Sequence, residues 1–447
     1  MTSENSLTKV TVGFCPLTKG WYLIKPSNHM KNKVPLVRWG ANRKPLQLKT
    51  EQRPASIHKP LLFNGFVKHH NGKLLFGPLM GILTVQNGHA PFAGVRQNFI
   101  DIIRTGQKRG GIVYVFTPQG INWKEGTVRG YLYHASLKQW ISYPFPLPNV
   151  VYNRIPDRLS EQRHEVQTCL RLLQKQPNMH LFNPSFFNKD EICLLLMKNK
   201  RTAPYIPETQ ILRTSETFVH MLQRHESLYL KPTHGKAGQG IFRADYDPDR
   251  QHYTLTFHQN RKTRRLISRS VQAIWRSFLK LKTGGTYLAQ QAISLARLNH
   301  APFDIRTLVQ KNRNGSWTVA GMGLRVAGPN RITTHVPQGG HIEQIDHTLT
   351  QIFPDEAKQI IAQARRLALL AATVLESHYR HLGELSLDIG LDTFGRLWIF
   401  EANAKPMKFD EPHIRKKSLL NLIEYAQYLT FHTTDQGADQ HDLIPAN

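Results

Sequence analysis

The run SLYLKP reads as a strand ending in Lys231 and Pro232, followed by a loop with Gly235, Gly238 and Gly240 before an apolar run resumes at Ile241. Glycines let a backbone approach a phosphate and turn its N–H groups inward. Lys231 would add a point charge toward phosphate oxygens. No GK[ST] follows at Walker A spacing, and the glycines lie between strands instead of opening a helix as in a dinucleotide fingerprint. A tight hairpin would use the same residues.

A second group is Asp388, Glu401 and Asn403, in LSLDIGLDTFGRLWIFEANAKP. Asp392 to Gly395 supplies a turn, so two antiparallel strands would bring Asp388 near Glu401. The two-residue strand period places Glu401 and Asn403 on one face. Two carboxylates and an amide oxygen are hard ligands that suit Mg²⁺ shared with nucleotide phosphates. A solvated turn Asp and a salt-bridged Glu would fit the same pattern.

Third, FDIRTLVQKNRNGSWTVAGMGLRVAG reads as a hairpin turning at Asn312 to Ser316, with Arg306 and Arg325 among apolar neighbours. A buried Arg needs an anion. A phosphate, a substrate carboxylate or the acids above would each serve. In TYLAQQAISLAR, Gln290 and Gln291 sit between apolar residues, either to read an adenine edge or as the polar face of a strand.

The elements that must position these groups follow from periodicity. Residues 8 to about 85 contain short apolar runs separated by Gly, Pro and Asn, a β-rich module. Residues 89–180 alternate helix and strand: Val95, Phe99, Ile102 and Ile103 share a helical face, and IVYVFTP is a buried strand. One helix is expected over Ser160 to Gln176, another near Lys189 to Asn199, a third over Ser215 to Arg224 and a long one from Pro354 to about His381. Residues 251–270 read as paired strands. The boundaries drawn are 1–88, 89–180, 181–432 and a disordered tail at 433–447.

Composition bounds the function classes. The 59 Lys and Arg outnumber 31 Asp and Glu, a net charge of +28, which attracts polyanions without choosing among them. Cys15, Cys169 and Cys193 form no CxxC pair, so a thiolate metal cluster or a disulfide framework is not expected. No HExxH or GxSxG occurs. The N-terminus lacks the order of a signal peptide, and no apolar run reaches the ~18 residues of a membrane span. A cytoplasmic protein is expected. RKTRR is the one basic cluster that would suit nucleic acid, but no RRM, zinc-finger or helix-turn-helix signature accompanies it, so nucleic acid is not an expected partner.

The order of these groups — Lys and Gly loop, QQAI, Arg hairpin, long helix, D…ExN — resembles that of ATP-grasp enzymes. Over residues ~180 to ~430 the wording is similar to the YheC/YheD family of endospore coat-associated proteins. The matching segments are FFNKDEICLLLMKNKRTAPYIPET, YLKPTHGKAGQGI, DIRTLVQ and DIGLDTFGRLWIFEANAKP. The resemblance implies an α+β ATP-grasp fold, in which two α+β subdomains grip ATP, preceded by a small α/β domain and the β-rich module. It implies that Lys189 and Lys231 reach phosphates and that Gly235, Gly238 and Gly240 cover the triphosphate. Gln290, Gln291, Ala292 and Ile293 would line the adenine pocket, largely through backbone groups. Arg306 and Arg325 would face the γ-phosphate or acceptor, and Asp388, Glu401 and Asn403 would hold Mg²⁺ (or Mn²⁺). Lys405 and Pro406 complete the last motif without an assigned role. RITTHVPQGG carries Thr334 where related ligases often have Asn. The activity implied is ligation of a carboxylate to an amine or thiol through an acyl phosphate, on a peptide, amino acid or acidic polymer. Spore-coat proteins would be partners, and a coat component that only retains the fold is the alternative.

Overall fold

Strand pairing sorts the described residues into four sheets. The computed structural model describes residues 7–16, 18–24, 36–49, 61–70, 73–88, 90–233, 240–259, 262–328 and 340–432. The expected tail at 433–447, Gly235, Gly238 and Thr334 lie outside the described residues.

The first sheet has seven strands between Thr8 and Gly77. The second centres on Leu79–Leu83, Ile112–Phe116 and Val150–Asn153, which pair in parallel. All three are buried along their length, as continuous apolar runs are in a parallel sheet covered on both faces. The boundary at residue 88 therefore needs correction, because Leu79–Leu83 pairs with the second sheet and not the first. A single apolar core runs through both sheets, from Val12, Phe63 and Phe76 to Ile82, Val115 and Tyr152.

The helix Arg96–Arg109 buries Phe99, Ile102 and Ile103 and stops at Gly110, whose φ of 77° is left-handed. Val95 precedes the helix and is exposed. The helix expected over Ser160 to Gln176 is two, Arg158–Gln162 and His164–Gln174, separated by extended backbone at Arg163. Asp157 fixes the start of the first, since its side chain accepts the Ser160 N–H at 2.8 Å.

The third sheet is antiparallel, in the order Thr209–Leu212, Tyr287–Gln291, Ser227–Pro232, Phe242–Asp247, His252–Gln259, Lys262–Ser268. The helices Ser215–His225 and Val271–Leu281 cover one face around Leu228, Leu230, Leu255, Phe257, Ile274 and Phe278. Alternation then turns Tyr229, Lys231 and Gln290 to the opposite face. In the fourth sheet Trp317–Val326, Ala301–Lys311, Glu384–Leu391 and Leu397–Asn403 lie side by side. Ile305, Val309, Leu387 and Ile389 pack with the long helix Ala357–His378 through Ala364, Ala368 and Leu375. Arg306 and Asp388, which pair with each other between these residues, face away from that helix. The final helix, Pro412–His432, sends Leu422, Ile423 and Ala426 into the core of the first two sheets. No described helix is long and apolar enough to cross a membrane.

Candidate functional site

A cleft of about 580 Å³, counting the solvent at its mouth, separates the third and fourth sheets. Its walls are Ile192, Leu196, Ile206, Leu288, Ile399 and Phe400, and its polar groups are Lys189, Lys231, Gln290 and Glu401. This lining suits a small organic ligand with a flat apolar part and an anionic part.

Lys231 enters from the end of Ser227–Pro232. Its Nζ donates to Gln290 Oε1 at 2.5 Å, and Gln290 Nε2 donates to Thr209 Oγ1 at 3.0 Å. The ammonium lies 5.5 Å from the Tyr229 ring centre and 5.6 Å from that of Phe400. Burial pushes its pKa down to about 8, opposed by Glu401 and assisted by Lys189. Lys189 opens the helix Lys189–Lys198 and lies 3.3 Å from Glu401 Oε1. Two lysines thus converge on one carboxylate, and the cleft between the sheets offers a second anion a place.

The structure brings Gln290 into the cleft but keeps its three successors out of the lining. Gln291 and Ala292 donate their backbone N–H groups to Glu208 O and Ser227 O, at 2.8 and 3.0 Å. Ile293 is half-buried. Those two N–H groups are bonded to neighbouring carbonyls, and the Gln290 side chain lines the cleft. Gly240 has a φ of 71°, and a Cβ there would lie 3.1 Å from Thr283 Oγ1 and Tyr287 Oη. The loop must therefore re-enter the sheet through a glycine.

On the fourth sheet Asp388 and Glu401 are direct cross-strand partners. The register shifts after Asp388, so that Ile389 pairs with Ile399 and Phe400 is the extra residue. This bulge decides the site. Ile399 belongs to the apolar core, and strict alternation would put Glu401 on the same side. The extra residue turns Glu401, and with it Asn403, to the face of Asp388 and Ser386.

Arg306 Nη1 reaches Asp388 Oδ1 at 2.6 Å, and Arg325 Nη2 reaches Oδ2 at 2.8 Å. Arg325 also grips Asp304 through two hydrogen bonds, 2.8 and 2.9 Å. Burial would raise the Asp388 pKa, but Arg306 and then Arg325 outweigh it and hold the carboxyl well below the usual range. Burial likewise opposes the Arg325 charge, and Asp388 and Asp304 restore it, raising its pKa. The two arginines therefore face the carboxylate expected to bind metal, one of the partners open to them from sequence.

No three His, Cys, Asp or Glu side chains among the described residues are close enough to hold a metal ion. Asp388, Glu401 and Asn403 still offer oxygen donors from one sheet face, the donor chemistry of a Mg²⁺ bound jointly with phosphate. Each Asp388 oxygen accepts from one guanidinium nitrogen, and a carboxylate with about four lone-pair sites keeps capacity for a metal beside them.

Sequence reasoning missed a second set of charges at the rim. Lys405 Nζ contacts the Glu161 carboxylate and lies 4.3 Å from the Phe186 ring centre. Burial pushes its pKa down to about 8 despite Glu161. Glu161 also accepts the Phe186 N–H at 2.8 Å. Arg158 donates to Phe187 O at 2.5 Å, and burial lowers its pKa although Glu161 and Glu401 lie nearby. Arg158 and Glu161 come from the short helix Arg158–Gln162, distant in sequence from Glu401, whereas Lys405 follows Glu401 closely. Lys405 stood in the last motif without a role, and for Arg158 and Glu161 the sequence signal was the charge-rich PDRLSE after a strand.

Residues 178–429 match a family described as YheC/D like ATP-grasp. The chain is 32% identical over 373 residues to the endospore coat-associated protein YheD of Bacillus subtilis (strain 168), covering 81% of each. It is 24% identical over 332 residues to the endospore coat-associated protein YheC of the same organism, covering 73% of this chain and 91% of that one. Similar solved structures include the ATP-grasp ligase PsnB complexed with minimal precursor, at a TM-score of 0.47 and 14% identity, covering 79% of this chain and 99% of that chain. The D-alanyl-alanine synthetase A of Vibrio cholerae gives 0.44 and 11%, covering 79% and 96%.

Proposed function

As the chain belongs to the YheC/D-like ATP-grasp family and has its α+β fold, we propose that it is an ATP- and Mg²⁺-dependent ligase-like enzyme associated with the endospore coat. The observation that carries this reading is the convergence of Lys189, Lys231 and Glu401 in one cleft, with Asp388 directly across from Glu401 on the neighbouring strand. ATP would supply the phosphoryl group that turns a substrate carboxylate into an acyl phosphate open to attack by an amine or thiol.

The chain's own residues bind and position. The walls formed by Ile206, Leu288 and Ile399 accept the base, with the Gln290 side chain beside it. Lys189 and Lys231 neutralise phosphate charge. Asp388, Glu401 and Asn403 would hold Mg²⁺ (or Mn²⁺). Arg306 and Arg325 take the transferred phosphate or the acceptor carboxylate as their anion. Such catalysis rests on orientation and charge neutralisation and needs no protein nucleophile. The acceptor class proposed is a peptide, an amino acid or an acidic polymer, with coat proteins as partners.

One observation favours a rival reading, a coat component that keeps the fold without turnover: both Asp388 oxygens are already paired with arginine. Titration calorimetry with Mg·ATP separates the two, since a pure scaffold gives no saturable heat. ADP release on addition of candidate acceptors then tests turnover. Glu401→Gln is expected to weaken Mg·ATP binding at least about tenfold, and unchanged affinity would refute the metal assignment.

A further inference from the structure

The strand Lys262–Ser268 forms one edge of the third sheet, paired with His252–Gln259 on its other side. Every second N–H and C=O of an edge strand points away from its neighbour and can pair with another extended chain. Arg264, Arg265, Leu266 and Ile267 are all exposed, Ile267 at 67% and Leu266 at 39%. Register divides them between two faces. Arg264 and Leu266 sit beside Phe257 and Leu255 on the side of the lobe's core, while Arg265 and Ile267 sit beside Thr256 and Thr254 on the other. Each face of this edge thus carries one cation and one apolar side chain.

The chain that forms and flanks this strand is basic. Between Asp249 and Asp304 the chain contains ten Lys or Arg and no acidic residue. A second copy of this strand would meet its own charge, so edge-to-edge pairing between copies is disfavoured. An acidic strand meets the complementary charge on both faces, and exposed Leu266 and Ile267 give its alternate side chains something to cover. We propose that the Arg264–Ser268 edge is a docking site for an acidic, extended peptide segment of a partner protein, which adds to the third sheet as a further antiparallel or parallel strand. The site is separate from the cleft and does not depend on nucleotide.

The test uses the full chain without nucleotide and a fluorescent ten-residue peptide of alternating Glu and Val as probe. Fluorescence anisotropy should show saturable binding at low salt, and the amides of 264–268 should exchange more slowly with solvent in the complex. The double variant Arg264→Glu/Arg265→Glu should bind about tenfold or more weakly, with its thermal midpoint checked to show that it folds. A peptide of the same sequence, N-methylated at every second residue, keeps the charge but cannot complete the ladder and should not bind. The proposal is overturned if the N-methylated peptide binds as well as the parent, or if the charge-reversed protein does. It is also overturned if a ten-nucleotide single strand of DNA displaces the peptide at equal or lower concentration, which would assign the surface to nucleic acid.

Discussion

Lys231 and Lys405 are both pushed down to about 8 by burial, yet they occupy opposite circumstances. Lys405 has its carboxylate in contact: Glu161 closes over it, and the pair seals the rim where the short helix Arg158–Gln162 meets the end of the fourth sheet. Lys231 leans on the amide of Gln290 and faces a cleft with room for an anion. Equal shifts therefore carry different meanings. The shift reports desolvation; the partner decides whether the charge is spent on structure or kept for a ligand.

The contrast breaks hardest on the structural side. Glu161→Ala leaves Lys405 buried without its counter-charge and should lower stability by roughly 3–5 kcal/mol, read from the denaturant midpoint. The paired change Glu161→Leu with Lys405→Met should recover most of that loss, because no lone charge remains. Lys231→Met should do the reverse: little loss of stability, but Mg·ATP affinity down roughly tenfold to a hundredfold, measured by calorimetry. Comparable effects of both lysines on nucleotide affinity would erase the distinction.

Proton linkage gives a finer test. Lys231 releases its proton near 8 in the folded chain and near its ordinary value of 10.5 when unfolded. The unfolded state holds more protons between those values, so the burial penalty is fully present below pH 8 and relieved as pH rises to about 10.5. Nucleotide affinity should run the other way, falling as pH rises past about 8 because the ammonium is what the phosphate needs. Lys231→Met should flatten that fall, whereas Lys405→Met should leave it. The smallest effect belongs to the cap: Asp157→Ala removes the bond to Ser160 N–H that starts the helix carrying Glu161 and should cost about 1 kcal/mol. Nucleotide affinity should not change.

Much of the site was legible because its parts are local. Alternation in SLYLKP turns Lys231 away from Leu228 and Leu230. The Asn312–Ser316 turn is fixed by Asn312, whose Oδ1 accepts the Asn314 and Ser316 N–H groups at 2.9 and 3.2 Å. Asp392 holds the next turn through the Phe394 and Arg396 N–H groups, both at 2.9 Å. That turn makes Asp388 and Glu401 neighbours, as the intervening residues suggested. The sheet to which Leu79–Leu83 belongs was not legible, because the strands that pair with it are distant in sequence.

The sequence by itself determined which strands exist, which faces of them are apolar, and the order of groups that marks the family. Tertiary structure decided which partner each charge takes. The bulge at Phe400 moves Glu401 off the face of Ile399 and onto that of Asp388, a one-residue shift that inverts the alternation a reader must otherwise assume. Cross-strand pairing gave Asp388 to Arg306, reach across the intervening strand gave it Arg325, and folding of the short helix gave Lys405 to Glu161. The physical reason is the same throughout. Side-chain direction follows from backbone period, which neighbouring residues encode. The counter-ion of a buried charge is whatever the fold places within a few ångströms, and that is fixed only when all the elements have packed.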